Sequence, residues 1–242
     1  MSEPAIRIRA LSKNYGALQA LKGIDLDVPR GEFVAFLGPN GAGKTTTIHS
    51  ITGLCNFQGS VKVFGHDVVT DYRKTRPLIG LCPQEINLDP FLSIQGVLVY
   101  QAGYFGVPKK IALERSEKLL KQFGLYEKKN MDFRKLSGGM KRRLLICRSL
   151  VHEPEILILD EPTAGTDVEL KHRVWDYLLE LNQAGKTIFL TTHYMEEAER
   201  LAKTIIIIDE GRIIHHGDKE SLVKDRSLEE VFLKLTRDKN DH

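Results

Sequence analysis

The stretch that decides the fold of this chain is Gly38-Pro39-Asn40-Gly41-Ala42-Gly43-Lys44-Thr45. It follows the continuously apolar run Phe33–Leu37 and opens a predicted helix, which is the context that a phosphate-binding loop requires. Gly41 and Gly43 allow backbone N–H groups to surround phosphate oxygens, and Lys44 can reach the outer phosphates of a nucleotide. The Thr45 hydroxyl is a suitable Mg²⁺ ligand. The stretch therefore predicts a nucleotide site, and a glycine-rich turn without function is the weaker interpretation.

A second glycine-rich turn, Leu136-Ser137-Gly138-Gly139-Met140, precedes a run with helical character at residues 140–150. Such a turn presents backbone N–H groups at the positive end of a helix, so it suits an anion and above all phosphate. The first loop alone would suit many kinases, GTPases and motor ATPases. The second turn narrows that choice, and we interpret it as serving a nucleotide held by another copy of the chain.

Length and composition set the bounds of the interpretation. The chain has 242 residues, of which 42% are hydrophobic and 28% charged, as is ordinary for a globular protein. The net charge of +3 gives no reason to expect a nucleic-acid partner. The three cysteines form no C-x-x-C pair, which argues against a zinc site or a disulfide framework. We expect a soluble polypeptide, because no apolar run approaches the ~20 residues of a membrane span.

Hydrophobic periodicity predicts an α/β fold with a parallel sheet and an antiparallel β edge. Residues 6–10 and 24–28 alternate between polar and apolar, as half-buried antiparallel strands do. Four runs are continuously apolar, as strands covered on both faces are: residues 33–37, 156–159, 187–190 and 205–208. Helical segments at 168–183 and 195–202 lie between these runs, which favours parallel pairing.

The middle of the chain has a different pattern. Residues 94–105 and 111–123 are predicted helices, separated by Gly106-Val107-Pro108, and no core strand is predicted between residues 91 and 130. They form a helical insertion between the phosphate loop and the second turn. The segment that starts at Ser227 has apolar residues at helical spacing and predicts a short amphipathic helix.

Two adjacent carboxylates, Asp160 and Glu161, end the apolar run at 156–159. The carboxyl edge of a parallel sheet is where α/β proteins bind ligands. We expect Asp160 to orient Mg²⁺ through its water shell and Glu161 to accept a proton from the attacking water. An acidic helix cap or a solvated turn is the alternative.

Three further candidates carry weak signals by themselves. His193 follows a predicted strand and could hydrogen-bond a γ-phosphate or the attacking water, although a lone histidine is more often structural. Gln84 could ligate Mg²⁺ or water, with a surface loop residue as the default. Tyr15 could stack on adenine, although an ordinary surface aromatic is the simpler interpretation. By contrast, Lys141-Arg142-Arg143 is interpreted as a solvated helix face, with a contact to phosphate or anionic lipid as the alternative, and Trp175 as a core residue.

The order and spacing of these motifs resemble the nucleotide-binding subunit of ABC transporters over nearly the whole chain. The matching features are Tyr15, the loop at 38–45, Gln84, the turn at 136–140, the acidic pair Asp160 and Glu161, and His193. The resemblance implies a P-loop NTPase core that is RecA-like and includes the antiparallel β edge (residues 1–90 and 150–218). It also implies a helical subdomain with the second turn (91–149) and a C-terminal helical tail (219–242).

The resemblance also implies a site, with ATP and Mg²⁺ as cofactors. The ATP-binding residues would be Tyr15, Gly38, Pro39, Asn40, Gly41, Ala42, Gly43, Lys44, Thr45, Thr46 and Gln84. Mg²⁺ would be held by Thr45 and Gln84, and by Asp160 through water. Glu161 and His193 would be catalytic. Ser137, Gly138, Gly139 and Met140 would contact ATP in a partner copy, and Asp167 would pair across the dimer.

The sequence departs from the family pattern at two places. Met140 stands where the family more often has Gln, although Met is common in its exporter branch. Thr166 stands where Leu is usual and bears on communication between the two sites, since the adjacent Asp167 pairs across the dimer in the family. The run at 136–143 and the tail from Ser227 to Leu233 look most like exporters with a separate membrane subunit for drugs, lipids or polysaccharides.

The partners implied are a second copy of the chain and an integral membrane permease that holds it at the cytoplasmic face of the membrane. No nucleic acid is expected. A soluble ABC ATPase acting on DNA or ribosomes is the alternative, but such relatives usually carry paired cassettes or a long coiled-coil insertion. A P-loop kinase or GTPase has no use for the second turn, and no guanine-reading Asn-Lys-x-Asp occurs. The transported substrate is not encoded here, because the membrane subunit selects it.

Overall fold

The structure is a computed structural model that describes residues 3–165, 168–224 and 226–237. Its strands are β1 (Ile6–Tyr15), β2 (Leu18–Val28), β3 (Phe33–Leu37), β4 (Gln58–Val63), β5 (His66–Asp67), β6 (Ile79–Cys82), β7 (Ile156–Asp160), β8 (Thr187–Thr192), β9 (Thr204–Asp209) and β10 (Arg212–Asp218). Its α-helices are α1 (Lys44–Ile51), α2 (Tyr72–Thr75), α3 (Ile94–Tyr104), α4 (Lys109–Gln122), α5 (Gly138–Leu150), α6 (Val168–Gln183), α7 (Met195–Leu201), α8 (Lys219–Leu222) and α9 (Leu228–Arg237).

The chain forms two units, the first from the segments up to Arg76 and from Tyr177 onward, the second from Pro77–Asp176. An antiparallel sheet of the first unit has the strand order β2-β1-β4-β5. Ile6 pairs with Val28 on one side and with Val63 on the other. Ile6 and Ile8 are fully buried while Arg9 is exposed, as the alternating pattern predicted. The antiparallel β edge is confirmed.

The other sheet of the first unit is built around β3. This strand runs parallel to β8 on one side and to β9 on the other, and β10 adds antiparallel to β9. Every residue of β3, β8 and β9 is buried, so these strands are covered on both faces as their continuous apolar character predicted. Parallel pairing places the carboxyl ends of β3 and β8 at one edge, which matters for the site.

The C-terminal segment packs onto the first unit through α9. Leu228 at its start is fully buried, and the Leu228 N–H donates to the Glu199 carboxylate of α7 at 2.8 Å. The predicted amphipathic helix at the end of the chain is therefore confirmed.

The second unit combines the parallel pair β6 and β7 with α3, α4 and α5. The two predicted helices of the insertion are confirmed within one or two residues of their expected bounds. Trp175 of α6 is fully buried, as core packing predicted. Strand β6 was not predicted, because its four residues include Gly80 and end before Pro83, which is too little apolar pattern to read as a strand.

Gly80 makes the contact between β6 and α5 possible. A Cβ atom at this position would overlap the Ser149 carbonyl oxygen and lie 2.7 Å from Pro154 Cγ. Backbone and a proline ring cannot move aside as a flexible side chain can. The absence of a side chain at residue 80 therefore sets how closely the helix approaches the strand.

We expect Gly80→Ala to lower the free energy of unfolding by about 2–3 kcal/mol, because overpacking a close contact forces the backbone apart. Gly103→Ala is the matched control, since a Cβ there meets nothing within 4 Å. Alanine is the better helix former, so we expect the control to be neutral or stabilising by up to ~1 kcal/mol. Urea unfolding of the full chain measures both. Equal midpoints for the two variants would contradict the close approach.

Two of the three cysteines are core residues. Cys82 and Cys147 are fully buried, whereas Cys55 is half-buried with its Sγ 3.5 Å from Ser50 Oγ. Burial raises the pKa of the Cys82 and Cys147 thiols. Both therefore remain uncharged thiols at neutral pH.

None of the helices within the described ranges combines the length and the apolar character needed to cross a membrane.

Candidate active site

The phosphate loop joins β3 to α1 and closes over the first turn of that helix. Gly43 caps α1 in a left-handed conformation with φ of 109°. The Lys44 side chain is buried, and its Nζ donates to the carbonyl oxygens of Gly38 at 2.7 Å and Pro39 at 3.0 Å. The Thr45 side chain is exposed and that of Thr46 is half-buried. The loop therefore offers an ammonium group and a helix N-terminus in one place, as an anion site requires.

Two glycines hold this loop against the sheet beneath it. A Cβ on Gly38 would overlap the Ile208 carbonyl oxygen and lie 2.9 Å from Ile208 Cγ2. A Cβ on Gly43 would lie 2.8 Å from Leu21 Cδ2, and its φ excludes most other residues. The path of the loop is therefore fixed by its contacts with β2 and β9.

His193 lies at the same edge of the sheet as the phosphate loop. Leu37, the last residue of β3, pairs with Thr192, the last residue of the parallel strand β8. Gly38 and His193 directly follow these two strand ends. The imidazole is exposed and packs against the Tyr194 ring in a tilted arrangement, with ring centroids 4.1 Å apart. The structure thus brings this sequence candidate to the edge where the loop begins.

The acidic pair and the glutamine lie together in the second unit. Cys82 pairs with Leu159, so β6 and β7 end side by side and lead into Gln84 and Glu161. Gln84 Nε2 donates to Glu161 Oε2 at 3.2 Å. Asp160 and Glu161 are both buried, which argues against the solvated turn that was the alternative at the sequence level. Glu161 has a φ of 50°, a left-handed conformation that is uncommon outside glycine.

The basic run that follows the second turn departs from its sequence interpretation. Lys141-Arg142-Arg143 was predicted to be a solvated helix face, and this is wrong for Arg142, whose relative exposure is 5%. Its guanidinium donates to the Pro162 carbonyl oxygen at 2.8 Å and to that of Pro83 at 2.7 Å. Arg142 therefore contacts the segments that carry the acidic pair and Gln84. Nothing in the sequence indicated that the middle residue of three consecutive basic residues would be buried.

The second turn forms the N-terminus of α5. Ser137 caps the helix, and its hydroxyl accepts from the Met140 N–H at 3.3 Å. Ser137 and Gly138 are exposed while Leu136 is buried, so the apolar residue anchors the turn and the polar ones face solvent. Nothing lies within 4 Å of a Cβ built on Gly138. The turn is open to a ligand that arrives from outside the second unit.

Tyr15 ends β1 in the first unit and has a relative exposure of 48%. Lys13 Nζ lies 4.8 Å from the centroid of its ring. An exposed ring beside a cation is suited to stacking on an aromatic base. Asp167 and Thr166, which the sequence linked to communication across a dimer, lie outside the described residues.

The fold and these motifs define a class of protein. Residues 21–164 match the family model described as ABC transporter, and the chain therefore belongs to that family. It is an ATP-binding and ATP-hydrolysing subunit of such transporters, and its mixed α/β fold is that of their cassettes.

Particular relatives extend this conclusion. Nod factor export ATP-binding protein I of Ralstonia nicotianae is 40% identical over 223 residues, which cover 92% of this chain and 70% of the relative. A dimeric post-hydrolysis state of the ATP-binding cassette MJ0796, bound to ADP and Pi, has a TM-score of 0.82 at 26% identity, covering 88% of this chain and 98% of that one. The cbiO1 protein of Clostridium perfringens, part of the transporter complex cbiONQ, has a TM-score of 0.81 at 30% identity, covering 98% and 97%.

Proposed function

We propose that this chain powers export through a separate membrane permease, by hydrolysing ATP that is enclosed between two copies arranged head to tail. The observation that carries the proposal is the exposed turn at Ser137 and Gly138, which opens a helix and faces solvent. The chain already has a phosphate loop of its own, so the second turn is available to the nucleotide of a partner. The γ-phosphate is anionic, and donors from both copies stabilise closure only while it is present.

Each candidate residue then has a role. Lys44 binds the β and γ phosphates, and Tyr15 stacks on adenine. Glu161 accepts a proton from the attacking water, which Gln84 helps to orient. His193 hydrogen-bonds the γ-phosphate from the carboxyl edge of β8. The burial of Glu161 and its contact with Gln84 support these roles, because a general base must be held in one orientation.

The residues proposed to hold Mg²⁺ fit that ion. Thr45 supplies a hydroxyl and Gln84 an amide oxygen, hard oxygen donors of the kind Mg²⁺ binds, and Asp160 supplies a carboxylate that orients the ion through its water shell. Gln84 uses its amide nitrogen toward Glu161, which leaves its amide oxygen for the ion or for water. When bound, Mg²⁺ would neutralise phosphate charge and so favour attack on the γ-phosphate.

The parts of the chain divide the work in this proposal. The core at residues 1–90 and 150–218 binds and hydrolyses ATP, the helical subdomain at 91–149 carries the second turn, and the tail at 219–242 is an accessory element. Asp167 pairs across the dimer and couples the two sites.

Exposed aromatic residues of the second unit support docking to the permease. Phe91 has a relative exposure of 91%, Tyr100 of 70% and Tyr104 of 67%. Large aromatic side chains exposed close together in sequence are typical of interaction surfaces. The permease would hold the chain at the cytoplasmic face of the membrane. Export, rather than import, is supported by the name of the Nod factor export relative.

Recovery of the tagged chain from detergent-solubilised native membranes tests this proposal. We expect an integral membrane protein to copurify with the wild type, and recovery to fall about 10-fold with Phe91→Ser, as for loss of an interface anchor. Val69→Ser, which removes an exposed apolar side chain in the first unit, is the control and should leave recovery unchanged. A chain that hydrolyses ATP freely but never associates with a membrane protein would instead favour a soluble ABC ATPase.

A further inference from the structure

The second unit contains a fully hydrogen-bonded guanidinium group at Arg142. A guanidinium has five N–H donors in a fixed planar fork and no acceptor. Nε donates to the Pro162 carbonyl at 2.8 Å, and Nη1 donates to the carbonyls of Pro83 at 2.7 Å and Gln84 at 3.1 Å. Nη2 donates to the carbonyls of Asp160 and Glu161. All five donors therefore find main-chain acceptors.

Burying the Arg142 guanidinium is energetically unfavourable unless all of its N–H donors are hydrogen-bonded. A buried charge loses its hydration and must be compensated by hydrogen bonds, and breaking part of the set leaves polar groups unsatisfied. The Arg142 guanidinium is compensated by peptide dipoles of two separate segments, and each of these five hydrogen bonds goes to a main-chain carbonyl oxygen. Arg142 therefore acts on the main chain at residues 160 and 161 and not through their carboxylates.

The acceptors are the main-chain groups that set the orientation of two proposed catalytic side chains. One segment follows β6 and carries Gln84, and the other follows β7 and carries Glu161. Glu161 adopts a left-handed conformation with φ of 50°, which is unfavourable for a residue with a side chain and persists only when its surroundings enforce it. Two of the five acceptors are the carbonyl oxygens of Asp160 and Glu161. They belong to the peptide groups on either side of the Glu161 α-carbon.

We propose that Arg142 is a positioning residue for ATP hydrolysis. Its guanidinium fixes the main chain at Gln84 and Glu161, so that the two side chains meet at 3.2 Å and the Glu161 carboxylate is held toward the attacking water. The inference rests on the proposed role of Glu161 as general base. Arg142 itself contacts neither nucleotide nor water in this mechanism.

A lysine at this position tests the geometry, because it keeps the positive charge but replaces the planar fork of five donors with three on a single nitrogen. We expect Arg142→Lys to lower kcat about 10–100-fold, as for a small misplacement of a catalytic group, with the Kd for ATP changed by less than about twofold. Arg148→Lys is the matched control on the same helix, since Arg148 donates to one carbonyl, that of Asn87. It should keep wild-type turnover.

A double-mutant cycle separates positioning from general destabilisation. If Arg142 acts through Glu161, then Arg142→Lys should cause no further loss of kcat in the Glu161→Gln background, because groups that act as a unit are not additive. Multiplying losses in the double variant would overturn the proposal. So would an Arg142→Lys variant with wild-type kcat, or one whose Kd for ATP rises in parallel with the fall in kcat.

The experiments also distinguish a failure of the positioning role of Arg142 from a failure of the general-base role of Glu161. If Glu161→Gln hydrolyses ATP as fast as the wild type, the general-base assignment itself is wrong. If Glu161→Gln is impaired while Arg142→Lys is fully active, only the positioning role is wrong. Arg142→Met is a harsher variant that removes the guanidinium donors from all five carbonyls. If Arg142→Met fails to fold, the Arg142→Lys variant and its double-mutant cycle with Glu161→Gln still test the positioning role.

Discussion

Glu161→Gln is expected to lower ATP turnover about 10²–10⁴-fold, the loss that accompanies removal of a general base. Glutamine has the same shape as glutamate and can still meet the Gln84 amide at its side-chain oxygen, so the fold should be preserved. It cannot accept a proton from water. ATP binding should therefore be retained, and the ATP-bound dimer should accumulate because it no longer resolves by hydrolysis.

Phosphate release under saturating ATP measures the first effect, and the apparent mass of the chain with and without ATP measures the second. Glu155→Gln is the control, because Glu155 is exposed and precedes the same strand, β7. Its turnover should match that of the wild type. Unimpaired phosphate release by Glu161→Gln would exclude the general-base role.

Mixing two inactive variants should restore activity if each ATP is shared by two copies. Lys44→Ala removes the ammonium of the phosphate loop, and Gly139→Asp places a carboxylate in the second turn, where it repels phosphate. Each variant alone should have lost nearly all turnover, because every site in its dimer carries the defect. A mixed dimer contains one site built from an intact phosphate loop and an intact second turn.

For independent sites and random pairing, an equimolar mixture should regain up to about a quarter of wild-type activity. The measurement is ATP hydrolysis of the mixture against the sum of the two variants assayed separately. A mixture no more active than that sum would mean that the phosphate loop and the second turn of one chain serve the same nucleotide. The head-to-tail arrangement would then be wrong.

Much of the fold could be predicted from the sequence because its signals are local. The strand Phe33–Leu37 and the helix Val168–Gln183 have the expected bounds, since the strand is apolar at every position and the helix has a helical apolar period over its length. Strand β6 could not be predicted, because its pairing with β7 depends on the distant residue 156 rather than on its own pattern. Gly80 interrupts the apolar pattern of this strand. A glycine is required there because α5 approaches the strand too closely for a side chain.

In the candidate site, too, the local features could be predicted from the sequence and the contacts between distant residues could not. The glycines, Lys44 and His193 could be proposed because their positions after predicted strands are visible along the chain. The contact between Gln84 and Glu161 could not, since 77 residues separate them. Arg142 was wrongly predicted to be exposed, because arginine is rarely buried. The five carbonyl groups that accept from it come from segments distant in sequence, so the local pattern does not show them.

The anchoring of the phosphate loop has a consequence for how fast ATP can bind. Gly38 packs against Ile208, and the Lys44 ammonium donates to the carbonyl oxygens of residues 38 and 39. A preformed cradle pays little ordering entropy on association, so nucleotide capture resembles docking onto a rigid surface. When nucleotide binds, the Lys44 ammonium would exchange its carbonyl partners at Gly38 and Pro39 for phosphate oxygens. The cassette should therefore bind ATP rapidly, and in the proposed dimer the slow, regulated event should be the association of two ATP-bound copies.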